Sequence, residues 1–382
     1  MANPTDKVMT VTQYKTRHSV TDRNATPIRG LFFPIRYSQN FYYPGFFPMR
    51  LFACKRLYSF PWKNSTDEPS LISEEYVMNI KRSPIRWLIA TLLAVLISTS
   101  TQAESFANII VFGDSLSDNG NLATLPDYSF LNNPPFNKGF TNGKFAVEVV
   151  AKLLKLEVKP SLYLTGFPSD GTNFAVAGAR AGGETIIDLS GQVQAFLLGN
   201  NGESLGNTLY FIMIGGNDIA DAVETGSPIQ ARFILGHAVQ TIGSNINALL
   251  DAGAKSLMVV NAPNIGITPR VKNLGSEATH FAKELSKTFN RLLKKSVKSI
   301  EKNRGIDIGY FNLYGFVHQI LTNHTALGFK NVEDACYDSI NLTENPGCKF
   351  EEYFFFDEFH PTAKANQRIG YAMRALAPEA DN

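Results

Sequence analysis

Cysteine is scarce in this chain, with three residues in 382, at positions 54, 336 and 348, beside only six histidines and two tryptophans. So few thiols exclude a disulfide-dense framework, and no spacing of Cys with His resembles a metal site. Long apolar runs are missing too. The clearest candidate, Trp87 to Ile97, has 11 residues, whereas a membrane-spanning helix needs about 20. Charge of one sign is also lacking, since 36 Lys+Arg face 34 Asp+Glu. What remains is an ordinary globular balance, 44% hydrophobic and 18% charged, which excludes a disordered or fibrous chain. No internal repeat or low-complexity tract is found.

The chain is not uniform along its length. Residues 1–77 mix Arg, Pro and aromatics (Phe32, Phe33, Phe41, Tyr42, Tyr43, Phe46, Phe47) without a helical or strand period. Residues 78–103 then run from a basic head (Lys81, Arg82, Arg86) through the apolar Trp87 to Ile97 into a small, polar tail ending at Ala103. That succession predicts a secretory signal peptide with cleavage after Ala103. A signal peptide normally begins a protein, so Met78 reads as the true start and 1–77 as a non-native or disordered extension. The alternative is a cytoplasmic extension with 87–97 as a membrane anchor. The expected location is therefore secreted or periplasmic.

Processing changes the charge. The first 103 residues hold 13 basic and 6 acidic residues, which leaves 23 basic against 28 acidic, a net of −5. A mildly acidic chain argues against a nucleic-acid partner. Cys54 is lost with the extension. Cys336 and Cys348, an even pair in an exported chain, then predict a disulfide closing a small loop, worth roughly 2 to 3 kcal/mol. Two buried free thiols are the alternative.

From residue 104 onward, short continuous apolar runs alternate with amphipathic stretches. Strands are expected at 107–112, 208–214, 256–261 and 306–311, and helices at 144–156, 186–198, 229–252, 277–302 and 362–375. Residues 122–142 read as loop, broken by Pro126, Pro134, Pro135 and Gly139. Fully apolar strands separated by helices imply a parallel sheet covered on both faces, in one α/β domain over 104–382.

The first strand ends at Gly113-Asp114-Ser115-Leu116-Ser117-Asp118-Asn119-Gly120-Asn121. A serine is thus delivered at a strand's carboxyl end, where open α/β sheets bind ligands. The plainer alternative is a helix-capping turn. Acyl transfer needs a nucleophile, a base, a group that orients the base, and oxyanion donors. Ser115 supplies the first. Among the histidines, His237, His280, His318 and His324 lie on helical patterns, whereas His360 follows an aromatic run with Asp357 three residues before it and Pro361 after. A carboxylate at that spacing can reach Nδ1 and leave Nε2 facing a serine. Asn217, after the strand at 208–214, and the backbone of Gly178 are candidate oxyanion donors. Gly202-Glu203-Ser204-Leu205-Gly206 matches G-x-S-x-G in letters, but a strand follows it where that motif needs a helix, so Ser204 is set aside. Gly178 to Gly183 fails G-x-G-x-x-G, which leaves no dinucleotide site.

Four blocks, Phe-Gly-Asp-Ser-Leu-Ser-Asp-Asn-Gly-Asn at 112–121, Asn-Phe-Ala-Val-Ala-Gly at 173–178, Gly-Gly-Asn-Asp at 215–218 and Asp-Glu-Phe-His-Pro-Thr at 357–362, resemble those of the GDSL, or SGNH, hydrolases. The resemblance implies a flavodoxin-like three-layer α/β/α fold with a central parallel sheet. It also implies nucleophile Ser115, base His360 with partner Asp357, and oxyanion donors from the Ser115 and Gly178 backbones and the Asn217 side chain, without metal or cofactor. The 112–121 and 354–362 stretches are similar to secreted lipases, lysophospholipases and lecithinase-type acyltransferases. The implied substrate is a lipid or other acyl ester, with transient contact at a membrane surface. The alternatives are a carbohydrate O-acetyl esterase and a catalytically inactive binding module on the same fold. The Cys336 to Cys348 loop, just upstream of Asp357 and His360, is expected to form a tethered flap beside the site.

Overall fold

The computed structural model describes residues 105–166 and 171–380. The extension expected at 1–77 and the signal peptide expected at 78–103 lie outside the described residues. Four strands make the main sheet: β1 (Asn108–Gly113), β2 (Thr208–Met213), β3 (Ser256–Val260) and β4 (Gly309–Phe311), all parallel and in that spatial order. Residues 172–176 run along the free edge of β1. Val111 N–H donates to Thr172 O (2.9 Å), and Phe174 N–H and Val176 N–H donate to Val111 O (2.8 Å) and Gly113 O (3.2 Å). With that segment included, the order in chain terms is second, first, third, fourth, fifth. This is the doubly wound flavodoxin-like order, whose direction of winding reverses beside the first strand.

Each strand is apolar on both sides, because both faces are covered. Along β1, Ile110 and Phe112 join one buried cluster while Ile109 and Val111 join the other. The same alternation separates Tyr210 and Ile212 from Leu209 and Phe211 on β2. One face is covered by α2 (Leu189–Gly199), α3 (Gly216–Glu224), α4 (Pro228–Asp251) and α6 (Ser276–Arg304), with the short α5 (Pro269–Lys272) preceding α6. The other carries α1 (Ala146–Leu153), α7 (Leu313–Thr322) and α8 (Ala363–Arg374). Helix α1 connects β1 leftward to 172–176, whereas α2 leads back past β1 to β2. Right-handed crossovers in opposite directions put those helices on opposite faces. Among the described residues no helix is long and apolar enough to cross a membrane.

Several expectations shift in detail. Residues 122–142 are not simple loop; they hold two 3-10 turns, Leu122–Thr124 and Pro126–Asn132. Helix α3 is not among the expected helices, because Gly215 at its N-cap and Gly216-Asn217-Asp218 in its first turn are poor helix formers. The last strand of the main sheet is shorter than 306–311, and the last helix ends at Arg374, with Leu376 exposed beyond it. His324 sits in a turn rather than a helix, with Nδ1 3.1 Å from Phe329 O.

A second region lies outside the main sheet. Strand β5 (Asn331–Ala335) pairs in parallel with β8 (Tyr353–Phe355), and β6 (Tyr337–Asp338) pairs antiparallel with β7 (Thr343–Glu344). The structure joins Cys336 to Cys348 across the base of this hairpin, with Cα atoms 5.2 Å apart.

Candidate active site

Ser115 lies two residues past the end of β1, so its position is set by where β1 ends. That end is held by a side chain from α2. Gln192 of α2 is fully buried; its Oε1 accepts from Gly113 N–H (2.8 Å) and its amide donates to Gly113 O (2.7 Å) and Ile187 O (2.7 Å). A glutamine on the apolar face of a helix, between Leu189 and Phe196, must find polar partners inside. That mismatch was the available signal.

The turn after β1 is built from carboxylate and amide side chains that replace regular backbone pairing. Asp118 accepts from the N–H groups of Gly120 (2.9 Å), Asn121 (2.7 Å), Leu122 (3.1 Å) and, across the chain, Ala177 (2.8 Å). Asn121 donates to Asn173 O and Ala175 O (both 2.8 Å), and Asn173 donates to Ser117 O and Asn119 Oδ1 (both 2.7 Å). The serine turn and the 172–178 segment are therefore locked together by buried hydrogen bonds, whose partners are costly to leave unmet.

Gly178 lies at the end of that segment, exposed between buried Ala177 and Ala179. Its φ of +84° is a conformation that favours glycine, and a Cβ there would meet no atom within 4 Å. The glycine is thus demanded by backbone conformation, and the space beside it is open. Asn217 lies in the first turn of α3, just beyond β2, and donates to Ala179 O (2.8 Å). An amide nitrogen carries two hydrogens, so a second N–H remains for another acceptor. The neighbouring Asp218 is buried and accepts from Ala181 and Gly182 N–H (both 2.8 Å), which fixes the strand end to the same loop. Burial pushes the Asp218 carboxyl above its ordinary value against those donors.

His360 and Asp357 arrive from the other region, in the turn after β8. His360 Nε2 is 2.8 Å from Ser115 Oγ, and Nδ1 is 2.8 Å from both Asp357 carboxylate oxygens. Asp357 Oδ1 also accepts from the N–H groups of Phe359 and His360 (both 2.8 Å), so the carboxylate shapes its own turn as well as the imidazole. Burial pulls the His360 imidazole down, but the charge and hydrogen bond of Asp357, joined by Asp114 and Glu358, outweigh it and hold it above its ordinary value. Asp114, beside the serine, is pushed up to about 6 by burial, partly offset by Leu116 N–H and the His360 charge.

The structure brings Ser115, His360 and Asp357 into one hydrogen-bonded chain and puts Gly178 and Asn217 on the two segments that flank β1 at the same sheet edge. Such an arrangement can move a proton from a hydroxyl to an imidazole while a carboxylate holds the ring. Ser204 lies in a loop before β2, at the amino ends of the strands, bonded through its N–H to Ala252 O (2.9 Å). The hairpin expected as a flap is fastened to the His360 turn. Cys336 and Tyr337 N–H donate to Phe355 O (3.2 Å) and Phe356 O (2.8 Å), and Ser339 donates through its N–H (3.1 Å) and hydroxyl to the Glu358 carboxylate. Among the described residues no cluster of three or more His, Cys, Asp or Glu is arranged to hold a metal ion.

Lipase 1 of Photorhabdus luminescens is 25% identical over 353 residues, covering 73% of this chain and 51% of that protein, so the chain spans about half of that relative's length. An Arabidopsis thaliana relative named inactive GDSL esterase/lipase-like protein 25 is 26% identical over 352 residues, covering 84% and 83%. A solved acetylxylan esterase of Geobacillus stearothermophilus is 14% identical at a TM-score of 0.41, covering 74% of this chain and all of that one. The family model for GDSL-like lipase/acylhydrolase matches residues 109–373, from the first residues of β1 into the last helix. The chain belongs to the GDSL-like lipase/acylhydrolase family of ester hydrolases.

Proposed function

We propose that this protein is an exported serine hydrolase that deacylates glycerophospholipids, as a phospholipase A or lysophospholipase A, through an acyl-Ser115 intermediate. The observation that carries the reading is the unbroken chain from Asp357 through His360 to Ser115 Oγ, each link at 2.8 Å. Ser115 Oγ bonds to the ester carbonyl carbon as its proton passes to His360 Nε2. The carbonyl electron pair moves onto oxygen, where the backbone N–H groups of Ser115 and Gly178 and the Asn217 amide receive it. When the tetrahedral carbon collapses, the ester C–O bond breaks and His360 returns the proton to the departing alcohol. Water repeats the sequence on the acyl-serine and releases the fatty acid. An alcohol in the place of water yields a new ester, so acyl transfer competes with hydrolysis according to which acceptor reaches the site.

Two features favour an acyl chain over an acetyl group. Phe140 and Phe359 are both half-buried beside the imidazole, with ring centroids 4.9 and 6.1 Å from that of His360, an apolar wall next to the reacting atoms. The relatives matched include proteins named lipase. The same reading holds residues 78–103 to be the export signal and 104–382 the mature hydrolase, so N-terminal sequencing of exported protein should begin at Glu104; retained residues before it would contradict this. The test of the activity is a comparison of lysophosphatidylcholine with p-nitrophenyl acetate. Faster turnover of the long-chain lipid supports the proposal, whereas activity confined to acetyl esters overturns it in favour of a deacetylase.

A further inference from the structure

The segment 139–143 belongs to neither half of the site, yet it touches both. Gly139 lies flush on the serine turn: a Cβ there would sit 2.3 Å from Asp118 O and 2.7 Å from the Phe145 ring, so only glycine allows the approach. On the other side, Thr141 Oγ1 donates to Pro361 O (3.2 Å), Asn366 donates to Thr141 Oγ1 (3.3 Å), and Ala363 N–H donates to Asn142 Oδ1 (2.8 Å). Pro361 is the residue directly after His360. Between these anchors Phe140 lies nearly parallel to the His360 ring, with centroids 4.9 Å apart and planes at 22°. Phe140 is itself packed edge-on by Phe136, which in turn meets Tyr337 and Phe356, so its ring has little freedom to turn away.

Building on the catalytic reading above, we propose that Phe140 is a positioning residue for His360: its ring covers one face of the imidazole, fixes the plane in which Nε2 meets Ser115, and stabilises the imidazolium formed during each turnover. The hydrogen bonds to Asp357 hold Nδ1 at one edge but leave the ring free to tilt about that edge, and a stacked face removes the tilt. An aromatic face also attracts a cation, so it favours the protonated imidazole over the neutral one. This makes Phe140 an ally of the three carboxylates that act on His360, namely Asp357 at Nδ1, Asp114 beside the nucleophile and Glu358 in the same turn.

Phe140→Leu separates stacking from mere cover, because leucine keeps the site apolar and excludes water while removing the π face. Phe140→Tyr restores the face. With a soluble short-chain ester, Phe140→Leu should lower kcat about tenfold with KM little changed. It should also move the apparent pKa of the acid limb of kcat/KM, and the His360 titration followed by NMR, downward by about half a pH unit. Phe140→Tyr should recover most of both. A leucine variant with the wild-type acid limb and kcat overturns the proposal, as does one whose loss tyrosine does not rescue. Equal thermal midpoints for the three proteins show that a loss of folding is not what is measured. Ser115→Ala, assayed in parallel, keeps the two readings apart: if it retains full turnover the catalytic reading fails, whereas a dead Ser115→Ala beside an unaltered Phe140→Leu sinks only the role given to Phe140.

Discussion

The two halves of the site are held by different means. Ser115, Gly178 and Asn217 stand at the ends of three adjacent strand segments, and their positions follow from the parallel ladder and the buried side chains tied to it, Gln192, Asp118, Asn173 and Asp218. Asp357 and His360 stand on a turn outside that sheet. Their turn is held by a two-strand pairing, by Phe356 N–H bonded to His360 O (2.7 Å), and by a disulfide-closed hairpin gripping Glu358. The parallel sheet and the buried side chains tied to it thus organise the groups proposed to form and stabilise the new bond. The groups proposed to move the proton, Asp357 and His360, depend on local staples and on their docking to the sheet. A site divided in this way should lose chemistry when either half is edited, but should lose its stability unevenly.

The largest effect should come from the proton-moving half. Asp357→Asn removes the acceptor that fixes the His360 tautomer, and kcat should fall by about 10³ to 10⁴. A drop under tenfold would show that the turn works without its carboxylate. On the sheet half, Asn217→Ala removes the amide proposed as an oxyanion donor and should lower kcat by about 10² to 10³. The thermal midpoint should change little, because Asn217 is half-buried and, among the described residues, its side chain bonds Ala179 O. If the midpoint falls steeply, the amide is a structural prop.

Cys336→Ser together with Cys348→Ser should cost roughly 2 to 3 kcal/mol of unfolding free energy, measured by denaturant titration. The accompanying loss of kcat should be visible at temperatures where the hairpin frays, with the main sheet still folded. Unchanged stability and unchanged long-chain activity would show that the hairpin is not a staple. The smallest effect is electrostatic. His360 sits above its ordinary value, so activity should be lost on acidification through an apparent pKa above about 6.5, as the imidazole gains the proton it must accept. Asp114→Asn deletes one of the charges that favour the imidazolium, and the acid limb should move to lower pH by less than one unit; an upward move would reverse the sign argued here.

Most of the sheet half was legible beforehand. Continuous apolar runs name buried parallel strands, and a serine or an asparagine just past such a run must project at the carboxyl edge. Asp357 and His360 were legible through spacing, because a three-residue separation across a turn closes a local contact. What escaped notice was held by long-range complementarity. Nothing in a window around Gln192 says that its partner is Gly113, 79 residues away. Phe140 lies in a stretch broken by prolines, and only the folded chain lays it on a histidine 220 positions later. Residues 172–176 are not among the expected strands, because their pairing with β1 is long-range and the small and polar residues around them, Asn173, Ala175, Ala177 and Gly178, break the continuous apolar run that marks the other strands.

The central claim is that one hydroxyl, made nucleophilic by His360, carries the acyl group. Treating the folded enzyme with a fluorophosphonate and mapping the adduct by peptide mass spectrometry tests it most directly. The account predicts a single modified serine at 115, with labelling abolished in Ser115→Ala and strongly slowed in His360→Ala. An adduct on another serine, such as Ser204, or labelling that persists in Ser115→Ala, would contradict it.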